Sequence, residues 1–140
     1  MADEATVRSS LQVIKGNLSY QSQPTTFQAD VSGTAGPSPG TVIVPTTGVD
    51  IYFSQLTTPG LCRLQNLDTG NRFEYGIYDT SNKVFYPLGE VLPGETYVIR
   101  LSRNLKKEFA GSGTGQTLDT YLRLKAYGAS VTAQVEAFEV

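Results

Sequence analysis

Residues 72–78 read Arg-Phe-Glu-Tyr-Gly-Ile-Tyr, with large apolar side chains at alternate positions. Phe73, Tyr75 and Ile77 fall on one face of an extended chain, whereas Arg72, Glu74 and Tyr78 fall on the other. A period of two residues is typical of a strand that buries one face and exposes the other. This stretch therefore predicts a β-strand with one buried face.

The same period recurs outward in both directions, for example in residues 49–54 and 97–102. Pro-Gly pairs at 59–60 and 93–94 and Asn/Asp-rich segments separate these runs, as turns do. We expect about nine or ten strands in an all-β, single β-sandwich that is jelly-roll-like, with long Gly/Pro loops. A short helical turn is expected only within 101–110.

Five aromatic residues fall in register with the predicted core faces and are expected to be buried: Phe27, Phe53, Phe73, Tyr75 and Tyr97. The first ten residues are polar and start without core-forming periodicity. We therefore predict an N-terminal arm at 1–10 and one sandwich domain at 11–140. That length buries a sizeable core without metals or disulfides.

The side-chain chemistry of the 140-residue chain argues against an enzyme. It contains no histidine and one cysteine, so general bases and metal ligands of those types are scarce. Cys62 lies in an apolar run and is expected to be a buried free thiol. Glu90 and Glu95 flank a turn and are the best acid/base candidates, but exposed turn carboxylates are usually solvated. We predict no catalytic residue, no cofactor and no metal.

The net charge of −2 favours neither nucleic acid nor an anionic membrane as a partner. One basic cluster, Arg100, Arg103, Lys106 and Lys107, could contact an acidic protein surface or phosphate. We expect no leader peptide and no membrane span, and synthesis in the cytoplasm. A carbohydrate-binding module is the main rival, because fourteen aromatics could stack on sugars, although tryptophan is absent.

Several turn and strand motifs carry a family resemblance: Thr58–Asp68 with its Pro-Gly and Asn-Leu-Asp, Phe85–Glu95 with its Leu-Pro-Gly-Glu, and Ile99–Leu101. Together they resemble small virion structural proteins of tailed bacteriophages, most of all capsid decoration (cement) proteins. The resemblance covers about a third of the chain and rests largely on turn chemistry. It implies a jelly-roll-like sandwich without enzymatic activity, present in several copies, often as trimers, on the virion. The implied partner is the major capsid protein or another virion protein; a head–tail or tail-fibre junction is the alternative location.

A strand of residues 1–10 adding to a neighbour's sheet edge is the predicted docking mode. The candidate partner-binding residues are Val7 and Arg8 in that arm, and Arg103, Lys106 and Lys107 in the basic cluster. The loops 32–40 and 103–116 are the other expected contacts, since binding surfaces concentrate on loops held by a stiff scaffold.

Overall fold

A computed structural model describes residues 4–105 and 120–140, and this part of the chain is built from strands. The strands are β1 (Ala5–Ser9), β2 (Gln12–Lys15), β3 (Leu18–Gln21), β4 (Thr25–Ala29), β5 (Ser38–Val44), β6 (Val49–Ile51), β7 (Pro59–Asn66), β8 (Arg72–Asp79), β9 (Val84–Val91), β10 (Thr96–Arg100), β11 (Thr120–Tyr127) and β12 (Val131–Glu139). The predicted all-β class is confirmed. The predicted helical turn falls partly on residues 106–110, outside the described residues.

Eight strands form two four-stranded antiparallel sheets in a sandwich-like arrangement. Their orders are β10-β7-β12-β5 and β6-β11-β8-β9. The strongest apolar alternation is in β12, where Val131, Ala133, Val135 and Ala137 are all fully buried. The second sheet contributes residues such as Phe73, and the two inner faces share one hydrophobic cluster. Alternation along each strand thus produces a single core between the sheets.

A buried asparagine links the ends of three strands. The side-chain amide of Asn66 donates to the carbonyls of Asn71 (2.9 Å) and Val91 (3.0 Å), and its oxygen accepts from the N–H of Asp68 (2.8 Å). The Asp68 carboxylate in turn accepts from the N–H of Asn71 (2.6 Å), and such backbone hydrogen bonds lower the pKa of Asp68. The Asn-Leu-Asp sequence therefore forms a hydrogen-bonded turn between β7 and β8, as predicted.

The structure has more strands than expected because the N-terminal segment folds into a hairpin. β1 pairs with β4, and β2 pairs with β3 across the turn at Gly16. Gly16 adopts a positive φ of 56°, which suits its place in a two-residue hairpin turn. In the described residues, β1 to β4 pair only among themselves and lie outside the two large sheets. The division into residues 1–10 and 11–140 stays a prediction.

Two of the five aromatics expected in the core are exposed, which corrects the prediction for them. Phe27 is 47% exposed because its strand, β4, belongs to the hairpin. Tyr97 is 44% exposed because β10 is the outermost strand of its sheet. Phe53 and Phe73 are fully buried, and Tyr75 is partly buried against the core. The alternating pattern itself is the same in all five places.

Candidate assembly interface

The N-terminal hairpin, residues 4–31, is called the arm below. Its two ladders run from the Ala5–Ala29 pair at the base to the Lys15–Leu18 pair at the tip. At about 3.3 Å per residue, the twelve residues from Glu4 to Lys15 span roughly 40 Å. A two-stranded ribbon of that length has too little internal core to be stabilised by itself.

The tip of the arm, β2 and β3, has one apolar face. Val13 lies opposite Tyr20, and Lys15 lies opposite Leu18, so these four side chains share one side of the ladder. Leu18 and Tyr20 are 56% and 54% exposed, and Val13 is 37% exposed. The opposite side carries Ile14 between glutamines and a serine. The tip thus presents the amphipathic pattern of a half-buried strand, and its apolar side is open to solvent.

Beyond its base, the arm is also basic. Between Ala5 and Ala29 the charged residues are Arg8 and Lys15, and there is no Asp or Glu. Both positive charges are in the first half of the ribbon, β1 and β2, whereas the two carboxylates of the arm, Glu4 and Asp30, lie at its base. A partner surface with apolar and acidic side chains would match it.

The base of the arm is attached to the end of β12. The N–H of Ser32 donates to the carbonyl of Glu139 (2.8 Å), and the Glu4 carboxylate accepts from the N–H of Val31 (3.0 Å). The buried Glu139 carboxylate also accepts from the N–H of Thr57. Gly33 lies so close to this carboxylate that a Cβ at this position would collide with it. These contacts fix where the arm leaves the sandwich.

A groove of about 370 Å³ lies between β1 and the outer face of the sheet that contains β7, β10 and β12. Its apolar lining includes Val7, Leu61, Val98 and Phe138. Its charged lining consists of Glu4 and of an ion pair between Arg63 and Glu136 at 2.6 Å. The groove shows that the base of the arm rests across the sheet without filling the space beneath it.

The flank of the sandwich formed by β9 and β10 is open. Tyr97 lies opposite Leu64 and Tyr86 lies opposite Ile77, so both tyrosines belong to the inner side of their sheets, yet both are exposed. The Tyr97 hydroxyl donates to the Glu95 carboxylate (2.9 Å), and this bond is the main cause of the raised pKa of Tyr97. Apolar side chains are therefore accessible beside an acidic group on this flank.

The outer face of the other sheet carries stacked cations and aromatic rings. The Arg123 guanidinium lies 3.2 Å from the centroid of the Tyr78 ring and forms an ion pair with Asp50 at 2.7 Å. The Arg72 guanidinium lies 4.8 Å from the centroid of the Tyr127 ring, and Nζ of Lys125 lies 5.5 Å from the same centroid. A sugar that stacked on the covered faces of these rings would have to displace the cations, which disfavours this surface as a carbohydrate platform.

The predicted partner-binding residues do not converge on one site. Val7 lines the groove and the neighbouring Arg8 is exposed on β1. Arg103 is exposed after β10, and Lys106 and Lys107 lie outside the described residues. Their roles stay predictions. Sequence reasoning missed the tip residues Leu18 and Tyr20, although Gly16-Asn17 between apolar alternations is itself a hairpin signal.

The remaining candidates for chemistry have structural partners. Glu90 pairs with Arg72 at 3.0 Å, and the Glu95 carboxylate also accepts from the N–H of Leu92 (3.0 Å). Cys62 is buried as predicted, and this burial raises the pKa of its thiol to about 12. Within 4–105 and 120–140, no three His, Cys, Asp or Glu residues are grouped to hold a metal ion. The same residues include no helix with the length and hydropathy to cross a membrane.

Comparisons with known proteins give no match to this chain, whether to a family model, a curated protein or a solved structure. Functional inference therefore rests on the arm, the groove and the open flank.

Proposed function

We propose that this chain is a non-enzymatic virion structural protein that binds a phage capsid in several copies, as a decoration (cement) protein. The observation that carries the proposal is the open apolar face at the tip of the arm, formed by Val13, Leu18 and Tyr20. The arm is the docking element, and the sandwich is the rigid body that holds it.

The energetics favour a protein surface as the ligand of the arm. Fully burying one large apolar side chain is worth about 1.5–3 kcal/mol. These three are about half exposed, so docking would gain about half of that amount for each of them. The paired strands reduce the conformational entropy that docking must remove, compared with a single disordered strand. Several copies, as in a trimer, would strengthen attachment through effective concentration.

The strand order supports the jelly-roll part of the proposal. Counted along the chain from β5, the sheets contain strands in the orders 1-8-3-6 and 2-7-4-5. Eight strands in two such sheets match the double Greek key of a jelly roll, an architecture common in viral capsid proteins.

The virion setting is supported by the resemblance of residues 58–68 and 85–95 to phage structural proteins. These segments contain the turn at Asp68 and the turn that begins at Leu92, where the N–H of Glu95 donates to the Leu92 carbonyl (3.0 Å). A head–tail or tail-fibre junction is the alternative setting and predicts a small fixed copy number. A carbohydrate-binding module is the second alternative and predicts a specific hit on a glycan array.

Binding to particles tests the proposal. Wild-type chain and the variant Leu18→Ser/Tyr20→Ser are mixed with phage capsids that lack the chain, and bound protein is quantified after gradient sedimentation. We expect the wild type to sediment with capsids in many copies and the tip variant to lose most of its occupancy. Ile43→Ser, which removes an exposed apolar side chain from β5, is the matched control and should bind normally.

Equal occupancy of the wild type and the tip variant would rule out docking through the arm. Absence of the wild type from capsids would rule out decoration. The Arg103→Ser/Lys106→Ser/Lys107→Ser variant tests whether the basic cluster also contacts the capsid. If it does, salt should weaken the capsid binding of the wild type more than that of the variant.

A further inference from the structure

We propose that the edge of β10 is the receptor for the arm tip of a second copy of this chain. The inference rests on the proposal that the arm is a docking element, and it names one of the surfaces that the arm binds. The tip ribbon would continue the sheet beyond β10, with its apolar face directed toward the inner side of that sheet.

The four edge strands of the two sheets differ in how readily they accept another strand. β5 contains Pro39, β6 has three residues, and β9 contains Pro87 and a register shift against β8. Proline, shortness and bulges are the common protections of sheet edges. β10 has five residues, no proline and an unbroken register with β7. No described strand pairs with its other side.

The side chains beside this edge complement the arm in polarity. Tyr97 is on the inner side of β10, and Leu92 precedes the strand; both are exposed, as are Leu18 and Tyr20 on the arm tip. A strand placed beside β10 would bring such apolar residues together on the face that the core leaves open.

The charges are complementary as well. Glu95 precedes β10 and its carboxylate is bound to the Tyr97 hydroxyl at 2.9 Å. The arm offers Lys15 on the same face as Leu18, and it contains no carboxylate between Ala5 and Ala29. Arg100 lies at the other end of β10, so the acidic part of this edge is the end at Glu95. An ion pair between Lys15 of one copy and Glu95 of another would bring the apolar tip beside Tyr97, and this match within one chain argues for a second copy as the occupant.

Donor and acceptor are different surfaces, so the contact is heterologous. Contacts of this type close into rings when the rotation between copies permits it. Each copy in such a ring uses one arm and one edge. Copy number then follows from the angle at which the arm leaves the sandwich.

Self-association in solution tests this inference with the full chain. Mass is measured by light scattering over a range of protein and salt concentrations. We expect wild-type oligomers that weaken as salt rises. Tyr97→Lys places a positive charge at the edge and should weaken association about tenfold or more. Ile43→Lys, on the opposite edge of the same sheet, is the matched control and should associate like the wild type.

Mixing two variants gives the sharpest result. Tyr97→Lys retains an intact arm, and Leu18→Ser/Tyr20→Ser retains an intact edge. At a concentration where the wild type is associated, each should be mainly monomeric alone, and the mixture should form a species of twice the monomer mass through the one intact pair of surfaces.

A monomeric wild type at all concentrations would overturn the inference and assign the arm to a different protein. So would unchanged association of Tyr97→Lys or failure of the mixture to combine. Sedimentation with capsids is an independent measurement, so a chain that is monomeric in solution and still binds capsids would leave the decoration proposal intact.

Discussion

Leu64 and Tyr97 lie directly opposite each other in adjacent strands, yet Leu64 is fully buried and Tyr97 is 44% exposed. Leu64 is in β7, which has a neighbour on both sides, whereas Tyr97 is in the edge strand β10. Both side chains belong to the inner face of the sheet, and the two positions differ in whether another strand covers the outer side of their own strand. The contrast locates the flank where the core of the sandwich is accessible.

The contrast between Phe73 and Phe27 gives the first prediction. Phe73→Ala should lower the free energy of unfolding by about 3–5 kcal/mol, because it leaves a cavity in the core. Phe27→Ala should lower it by about 1 kcal/mol or less, because that ring is half exposed on the arm. Urea denaturation of both variants provides the measurement. Equal losses would mean that the arm shares the core of the sandwich.

Arg123 should be far less replaceable by lysine than Arg72. Its guanidinium is stacked on Tyr78 and paired with Asp50, with 18% and 13% of the two paired side chains exposed. Lysine lacks the planar group that makes both contacts, so Arg123→Lys should cost about 1–2 kcal/mol. Arg72→Lys, in an exposed pair with Glu90, should cost about 0.5 kcal/mol or less. Thermal unfolding that ranked the two variants the other way would contradict this assignment.

Asn66 should be essential for the junction between β7, β8 and β9. Asn66→Ala leaves two carbonyls and one N–H without their side-chain partner and should cost about 2–3 kcal/mol. Leu67→Ala, at the exposed neighbouring position, serves as the control and should be nearly neutral. Hydrogen exchange at Asp68 would report the same loss locally, and unchanged protection there would count against the role of Asn66.

The buried thiol predicts a pH dependence of stability. The pKa of Cys62 is raised by burial, and further by the charge of Glu136, from 9.0 to about 12. The folded state therefore holds this proton more tightly than the unfolded state. The resulting stability is complete below pH 9 and is lost as the pH rises toward 12.

Comparison with Cys62→Ala isolates this contribution. The difference in unfolding free energy between wild type and variant should shrink by about 2–3 kcal/mol between pH 8 and pH 11. A pH-independent difference would show that the thiol is not buried. Thiol reagents at neutral pH should react with Cys62 only after unfolding.

Much of the sandwich follows from alternation and turn chemistry. Phe73 and the apolar residues of β12 are buried as their period of two requires, and the turn at Asp68 forms where Asn and Asp predict it. Phe27 could not be distinguished in the same way, because a strand of a hairpin that lies outside the two large sheets has the same alternation. The two-residue period of β4 shows which of its faces is apolar. It does not show whether the same chain or another molecule covers that face.

The candidate interface was predicted only in outline. Val7 and Arg8 were expected in a docking arm, and both lie in β1, but the structure extends the hairpin to a tip that contains Leu18 and Tyr20. The openness of β10 could not be predicted, since strand order depends on long-range pairing that local sequence does not specify. Alternation alone therefore assigns Tyr97 to the core, as it does Tyr75.

The arm pairs with itself and is joined to the sandwich at its base, where Ser32 meets Glu139 and β1 borders the groove. Most substitutions at its tip therefore leave the buried residues of the body untouched. Binding specificity and stability can then change independently during evolution. Substitution of about a dozen residues in the ribbon could produce binding to a new partner while the rest of the sequence stays constant.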